Sequence, residues 1–303
     1  MASSTRILLL GKNGQVGWEL QRSLAPLGHI IALDRAGEDG LCGDIANLDG
    51  LRETIERIKP DVLVNAAAYT AVDKAQSEPE EAACLNHRAP ALMAELMKAN
   101  GGCLVHYSTD YVFDGSGDQP WKEDDPTGPL SVYGATKLAG EQAIQNSDCN
   151  HLIFRTSWVY ASRGNNFAKT MLRLAQERDT LNVINDQIGA PTGADLIADI
   201  TAHTLRQWQQ RQASSGLYHL AAGGETSWYD YASYVIDWAA AAGIPMAVQA
   251  VNPIPSQDYP VPAQRPKNSR LDCRALQRTF ELQLPDWKQG VERMLQETSK
   301  EIS

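Results

Sequence analysis

Ile7-Leu-Leu-Leu10-Gly11-Lys-Asn-Gly14-Gln-Val-Gly17 decides how the rest of the chain is read. Four successive apolar residues suit a parallel strand buried on both faces, and the amphipathic segment that follows, through Leu27, suits a helix. Between them the spacing GxxGxxG offers a tight turn, close approach of backbone to a ligand, and a helix N-terminus on which a pyrophosphate can rest. Three glycines alone are a weak signal. Their place in a first strand, turn and helix favours dinucleotide binding over a tight turn without ligand, with Gly11, Gly14 and Gly17 as the contacts.

Outward from this unit the same rhythm repeats. Ile30–Leu33, ending at Asp34, reads as the second strand, and Val62–Ala66 as the next after the helical stretch Leu51–Ile58. A helix over Glu81–Asn100 precedes the strand Cys103–Tyr107, and a helix over Tyr133–Gln145 precedes the strand His151–Thr156. This alternation predicts an α/β fold, a Rossmann-like doubly wound parallel sheet over residues 1–165. Beyond Tyr160 come helical patterns at Asn166–Arg178, Ala194–Gln209, Trp228–Ala242 and Asp286–Lys300, with strand-like Leu181–Ile184, Gly216–Ala221 and Ala247–Val251. Residues 166–303 are therefore expected to form mainly a smaller α/β substrate domain, with some segments returning to the first. Asn252–Pro266 holds five prolines and is expected to be an ordered, ligand-facing loop rather than a helix or a central strand.

Asp34 stands where a carboxylate can accept from adenosine ribose hydroxyls, which suits NADH, whereas the adjacent Arg35 suits the 2′-phosphate of NADPH. Asp44 fits an adenine amine or a surface turn equally well. Small residues in Asn65-Ala-Ala-Ala68-Tyr69-Thr70 let backbone run beside a cofactor, or simply pack. Ser108-Thr109-Asp110-Tyr111 ends a strand at the sheet edge where ligands collect, placing Thr109 to bond a substrate carbonyl. Tyr133 and Lys137, four apart on a predicted helix, share a face. A free phenol titrates near pH ~10, and a neighbouring cation is expected to lower that value and make Tyr133 a usable acid. Hydride arriving at a ketone builds negative charge on oxygen, which Tyr133 and Thr109 are placed to neutralise.

Composition narrows the classes. With 303 residues, 43% hydrophobic and 21% charged, the chain can bury a substantial core, and no apolar run reaches the length of a membrane span. A formal charge of −10 argues against nucleic acid as a partner. Met1-Ala-Ser-Ser-Thr-Arg6 lacks the basic start of a secretory signal, so a cytoplasmic protein is expected. Cys42, Cys84, Cys103, Cys149 and Cys273 are widely spaced and fit reduced, mostly buried thiols rather than disulfides or zinc. A homodimer is the default assembly.

The motifs GxxGxxG, Asn65-Ala-Ala-Ala68, Ser108-Thr-Asp-Tyr-Val-Phe-Asp-Gly115, Tyr133-Gly-Ala-Thr-Lys-Leu-Ala-Gly-Glu141 and Arg155-Thr-Ser-Trp-Val-Tyr160 together resemble the extended short-chain dehydrogenases/reductases. More narrowly they are similar to the dTDP-4-dehydrorhamnose reductase family, a likeness that continues through Asn165-Asn-Phe167, Asn185–Thr192 and Arg265–Leu271. The resemblance implies reduction of the C4 ketone of dTDP-4-dehydro-β-L-rhamnose by NADPH or NADH, to make dTDP-β-L-rhamnose for cell-surface polysaccharide. It implies Tyr133 as proton donor, Lys137 on the nicotinamide ribose, and Thr109 on the ketone. Gly14, Gln15, Val16, Asp34, Asp44, Ile45, Ala68, Tyr69 and Thr70 become cofactor contacts, Asp110 and Trp158 sugar contacts, and Arg265 a candidate for the diphosphate. Trp158 and Tyr160 also suit core aromatics. The family resemblance allows Mg²⁺, for which only Glu19 and Asp195 come into consideration, with no carboxylate cluster in the sequence to mark a site. Nucleotide-sugar dehydratases resemble Thr-Asp-Glu where this chain has Tyr111, which disfavours elimination chemistry. A non-catalytic regulatory subunit of the same fold is disfavoured by Thr109, Tyr133 and Lys137 being present together.

Overall fold

The computed structural model describes residues 5–211 and 215–302. Six parallel strands form its central sheet: β1 (Arg6–Leu10), β2 (His29–Leu33), β3 (Val62–Asn65), β4 (Cys103–Thr109), β5 (Asn150–Thr156) and β6 (Gly216–His219). Their spatial order is β6-β5-β4-β3-β1-β2, so the chain steps one way from β1 to β2 and the other way from β1 to β3. That reversal opens a crevice at the C-terminal ends of β1 and β3, where ligands of open α/β sheets bind.

The unbroken apolar runs follow from burial on both faces. Leu8, Leu10, Leu63, Leu104 and Ile153 point to one side, against Leu51 and Ile55 of α2 (Leu48–Ile58) and Met93 and Met97 of α3 (Ala89–Asn100). Ile7, Leu9, Val64, Val105 and Phe154 point to the other, against Leu20 and Leu24 of α1 (Gln15–Leu24). The catalytic-motif helix α4 (Val132–Asn146) is capped by Ser131, whose hydroxyl accepts from the Gly134 N–H.

After β5 the chain builds a second cluster around Tyr160, Tyr231, Trp287 and Val291. Its helices are α5 (Phe167–Glu177), α7 (Trp228–Ala241) and α9 (Trp287–Ile302), with α6 (Ala194–Arg211) touching it through Leu196. Three segments cross back: β6 joins the central sheet beside β5, α6 packs against α1, and α8 (Arg274–Phe280) buries Leu276 and Phe280 in the core of the sheet. Two readings change in detail. The helix expected over Glu81–Asn100 runs from Pro79 but widens into a π turn at Cys84–Arg88. Pro90 lies in the next turn and cannot donate to the Asn86 carbonyl, which explains the local break in the α ladder. The proline-rich segment is a strand at its start: Ala250–Ile254 pairs in parallel with Thr180–Ile184, and Pro253 is tolerated because this two-stranded ribbon leaves it an edge. All five cysteines are free thiols, with Cys42 and Cys84 partly exposed. Among the described residues no helix is long and apolar enough to cross a membrane.

Candidate active site

The Gly11–Gly17 turn bridges β1 and α1 at the switch point. Gly11 and Lys12 both donate their N–H to the Leu33 carbonyl, at 2.9 and 3.1 Å, tying the turn to the end of β2. A side chain on Gly17 would stand 2.0 Å from the Gly11 oxygen, and one on Gly11, whose φ is +87°, would press on the Ala66–Ala67 backbone at 2.9 Å. The turn thus closes only with glycine. Gly14 caps α1 without a side-chain acceptor, so the first N–H groups of the helix, those of Gln15 and Val16 among them, are left for an anion. This backbone cradle fits the pyrophosphate of a dinucleotide.

Asp34 faces the same turn, accepting from Asn13 at 2.7 Å and from the Ala36 N–H at 3.0 Å. Arg35 extends into solvent, 81% exposed, and meets Asp44 at 3.5 Å. Asp44 accepts from the Ala46 N–H, so it shapes the local turn as well as facing the cation. Ile45 is buried with Leu33 and Leu51, which leaves mainly its backbone to offer a ligand. On the other flank of the crevice, the Ala68-Tyr69-Thr70 loop is held by Asn86, whose side chain accepts from the Tyr69 N–H at 2.9 Å and donates to the Tyr69 carbonyl at 3.1 Å. The Tyr69 hydroxyl donates to Glu78 at 2.6 Å, and burial first, then this bond, pushes that phenol up to about 12. Asn86 escaped the sequence reading because its partners lie 17 residues away and its π turn had no local signature.

Tyr133, Lys137 and Thr109 come together where α4 crosses the end of β4. Thr109 ends β4 in extended geometry. Its hydroxyl accepts from the Tyr111 N–H and donates to Asp110 Oδ1 at 3.0 Å, and it lies beside the Tyr133 hydroxyl. Burial raises Tyr133 to about 12 despite the Thr109 contact, against the expectation that Lys137 lowers it. The reason is where Nζ points: Lys137 donates to the Tyr107 carbonyl at 2.5 Å and lies 3.4 Å from His106 Nε2. Lys137 is itself lowered to about 8 by burial, with Glu141 pulling the other way. Asp110 is raised to about 6 by burial, which Ser269 and Thr109 beside it oppose, and its Oδ2, like Ser108 Oγ, is buried without a well-formed hydrogen bond. Such orphaned acceptors cost free energy until a ligand meets them.

Behind the helix, Glu141 and Arg155 form a buried bidentate pair, at 2.7 Å for Oε2–Nη2 and 3.0 Å for Oε1–Nε. It joins α4 to β5 and fixes the height of Lys137. Tyr111 packs edge-on to Tyr133, with centroids 5.5 Å apart. Beyond it opens a cavity of about 1130 Å³ walled by Asp114, Thr170, Trp228, Tyr259 and Arg265. Arg265 is held by a bidentate bond to Asp73, at 2.7 and 3.1 Å. Trp158 adopts φ +50°, rare for a bulky residue, and stacks on Trp228 at 3.5 Å. Its ring thus stands behind Trp228, which lines the cavity and whose indole N–H donates to Gln187. Tyr160 is buried in the second cluster, as a core aromatic.

Glu19 lies near Asp195 and Glu297, and burial first, then the charges of these carboxylates, raise it. Arginines answer all three: Glu19 pairs with Arg22, and Asp195 and Glu297 with Arg293. Among the described residues no group of three or more His, Cys, Asp or Glu side chains is arranged to hold a metal.

A family model described as the RmlD substrate binding domain matches residues 5–300. The dTDP-4-dehydrorhamnose reductase of Salmonella typhimurium is 60% identical over 96% of this chain and 97% of its own length. That of Escherichia coli K12 is 58% identical over the same shares. Among solved structures, dTDP-4-dehydrorhamnose reductase from Bacillus anthracis in complex with NADP superposes with a TM-score of 0.86, at 34% identity, covering 97% of this chain and 100% of that one.

Proposed function

The chain belongs to the RmlD substrate binding domain family, and on that premise we infer that it reduces the C4 ketone of dTDP-4-dehydro-β-L-rhamnose to dTDP-β-L-rhamnose for cell-surface polysaccharide synthesis. It is an NAD(P)H-dependent oxidoreductase. The observation that carries the reading is the meeting of Tyr133, Lys137 and Thr109 at the end of β4, beside a glycine cradle at the switch point of the sheet.

NADPH or NADH, when bound, supplies the hydride. The roles of this chain's residues are our proposal. The Tyr133 hydroxyl gives its proton to the oxygen that becomes the C4 hydroxyl, and Thr109 holds that oxygen in line. Lys137 holds the nicotinamide ribose and stabilises the phenolate left on Tyr133. The high resting value of Tyr133 keeps its proton in place until charge develops on the substrate. Asp110, with a buried carboxylate, and Trp158, stacked behind the cavity-lining Trp228, serve the sugar, while Arg265 meets the diphosphate. Gly11, Gly14, Gln15, Val16 and Gly17 carry the pyrophosphate, with Asp34, Arg35, Asp44 and Ile45 toward the adenosine and Ala68, Tyr69 and Thr70 along the other flank.

We further propose that residues 1–165 mainly bind cofactor and 166–303 mainly substrate, and that the enzyme is a cytoplasmic homodimer without a nucleic-acid partner. The fall of reduced-nicotinamide absorbance on adding dTDP-4-dehydrorhamnose, with dTDP-rhamnose identified as product, tests the function. Cofactor binding without substrate-dependent oxidation would refute it.

A further inference from the structure

His106 lies in the middle of β4, fully buried, and the reaction above makes no use of it. Its two ring nitrogens nevertheless join a catalytic residue to the end of β3. Nδ1 stands 3.2 Å from Asn65 Nδ2, and Nε2 stands 3.4 Å from Lys137 Nζ. The Asn65 amide is oriented by Ala67, whose N–H donates to Asn65 Oδ1 at 3.2 Å, so the NH₂ group faces the imidazole as a donor. Nδ1 must then accept. Burial, reinforced by the Lys137 charge, holds His106 well below its ordinary value, so the ring is neutral. A neutral ring that accepts at Nδ1 carries its proton at Nε2, pointing toward Lys137. An ammonium has three donors and no acceptor, whereas a neutral amine has a lone pair to receive that N–H.

We propose that His106, oriented by Asn65, is a positioning residue that presents an N–H to Lys137 and so favours release of a Lys137 proton to the Tyr133 oxygen. The proposal rests on the roles given above to Tyr133 and Lys137. In the step itself, the Tyr133 O–H bond breaks as its proton joins the substrate alkoxide, leaving a phenolate. A Lys137 N–H proton then restores the phenol. The amine that remains accepts the hydrogen bond from His106 Nε2–H, and it regains a proton from water as product leaves.

The groups facing Lys137 agree with this assignment. On α4 it has Tyr133 one turn before and Glu141 one turn after; from β4 it has His106 and the Tyr107 carbonyl; Arg155 of β5 acts on it through Glu141. Glu141, which favours the ammonium, is already held by Arg155 in a bidentate pair. The Tyr107 carbonyl is a second acceptor for the ammonium, and burial opposes both, taking Lys137 to about 8.

Nitrogen-15 NMR of the imidazole in the cofactor-free enzyme reads the tautomer without reference to turnover. The expected signals place the His106 proton on Nε2 through neutral and mildly basic pH; a proton on Nδ1, or a ring titrating near neutrality, overturns the proposal. In kcat/KM against pH, Asn65→Asp should turn the bare Nε2 toward Nζ by accepting from Nδ1–H. His106→Gln should offer Nζ a carbonyl instead. Both are expected to move the basic limb up by about one pH unit, a tenfold gain in proton affinity. An unmoved limb in both variants, with near-ultraviolet circular dichroism unchanged, contradicts it. The two claims separate cleanly: the Nε2–H tautomer supports this placement whatever the turnover, and lack of sugar reduction counts against the function alone.

Discussion

The cofactor crevice and the catalytic corner lie at the same edge of one sheet and are built on opposite principles. The crevice is backbone: glycines at Gly11 and Gly17 that admit no side chain, a helix cap without a competing acceptor, and exposed charges at its rim. The corner is side chain, with Lys137, His106, Asp110, Glu141 and Arg155 all buried in contact with one another or with neighbours on β4 and β5. Backbone dipoles do not titrate, so the first region should respond to shape and the second to pH.

The largest effect that would sharpen this contrast is Glu141→Gln. Removing one partner of the buried pair leaves Arg155 uncompensated, and a loss of about 3–5 kcal/mol in unfolding free energy is expected from denaturant titration. A loss under about 1 kcal/mol would mean the pair is no structural hinge of the corner. Gly17→Ala comes next, since its Cβ would stand 2.0 Å from the Gly11 oxygen. The clash should cost about 1–3 kcal/mol and abolish cofactor binding by isothermal titration. Unchanged affinity would show that the turn does not hold the pyrophosphate.

His219 sharpens the comparison through pH. It is buried beside Arg155 and lowered from 6.5 to about 3, first by burial and then by that cation. An unfolded His219 protonates near 6.5 while the folded one stays neutral, so the unfolded state binds more protons and stability falls as pH drops through this window. The contribution is about 1.4 kcal/mol per pH unit. Asp110, raised from 3.8 to about 6, acts in the opposite sense, its stabilising share fading as pH rises between those values. The difference in melting temperature between wild type and His219→Gln isolates the first, and it should shrink as pH falls from 6.5 toward 4. A constant difference would remove His219 as an acid-sensitive point. The smallest effect belongs to the crevice rim. Arg35→Ala, at an exposed ion pair, should weaken NADPH more than NADH by no more than about fivefold, and equal loss for both would assign Arg35 no part in reading the 2′-phosphate.

The same contrast explains what the sequence disclosed. The crevice is local: strand, glycines and helix are contiguous, and the apolar run Ile7–Leu10 is buried on both faces as a parallel strand must be. The first five strands of the Rossmann-like sheet are legible on that ground. The corner is assembled from distant segments. Tyr133 and Lys137 could be paired from helical spacing, but Asn65 and His106 are 41 residues apart and meet only because β3 and β4 are neighbours. The direction of Nζ, toward Tyr107 and His106, is set by the same packing, and it leaves burial to raise Tyr133 against the expected shift. β6 reads as a strand but its place beside β5 does not, because a parallel partner 64 residues away, Leu152 for Gly216, leaves no periodic trace. Pro253 hid the end of a strand expected over Ala247–Val251, which instead runs Ala250–Ile254 at an edge that only the pairing reveals.

Cofactor affinity and turnover measured side by side in Tyr133→Phe test most directly whether the chemistry resides in the corner and binding in the crevice. The account predicts turnover lower by about 10²–10⁴-fold, as expected for loss of a general acid, with cofactor affinity at the wild-type level. Turnover near the wild-type rate would contradict it.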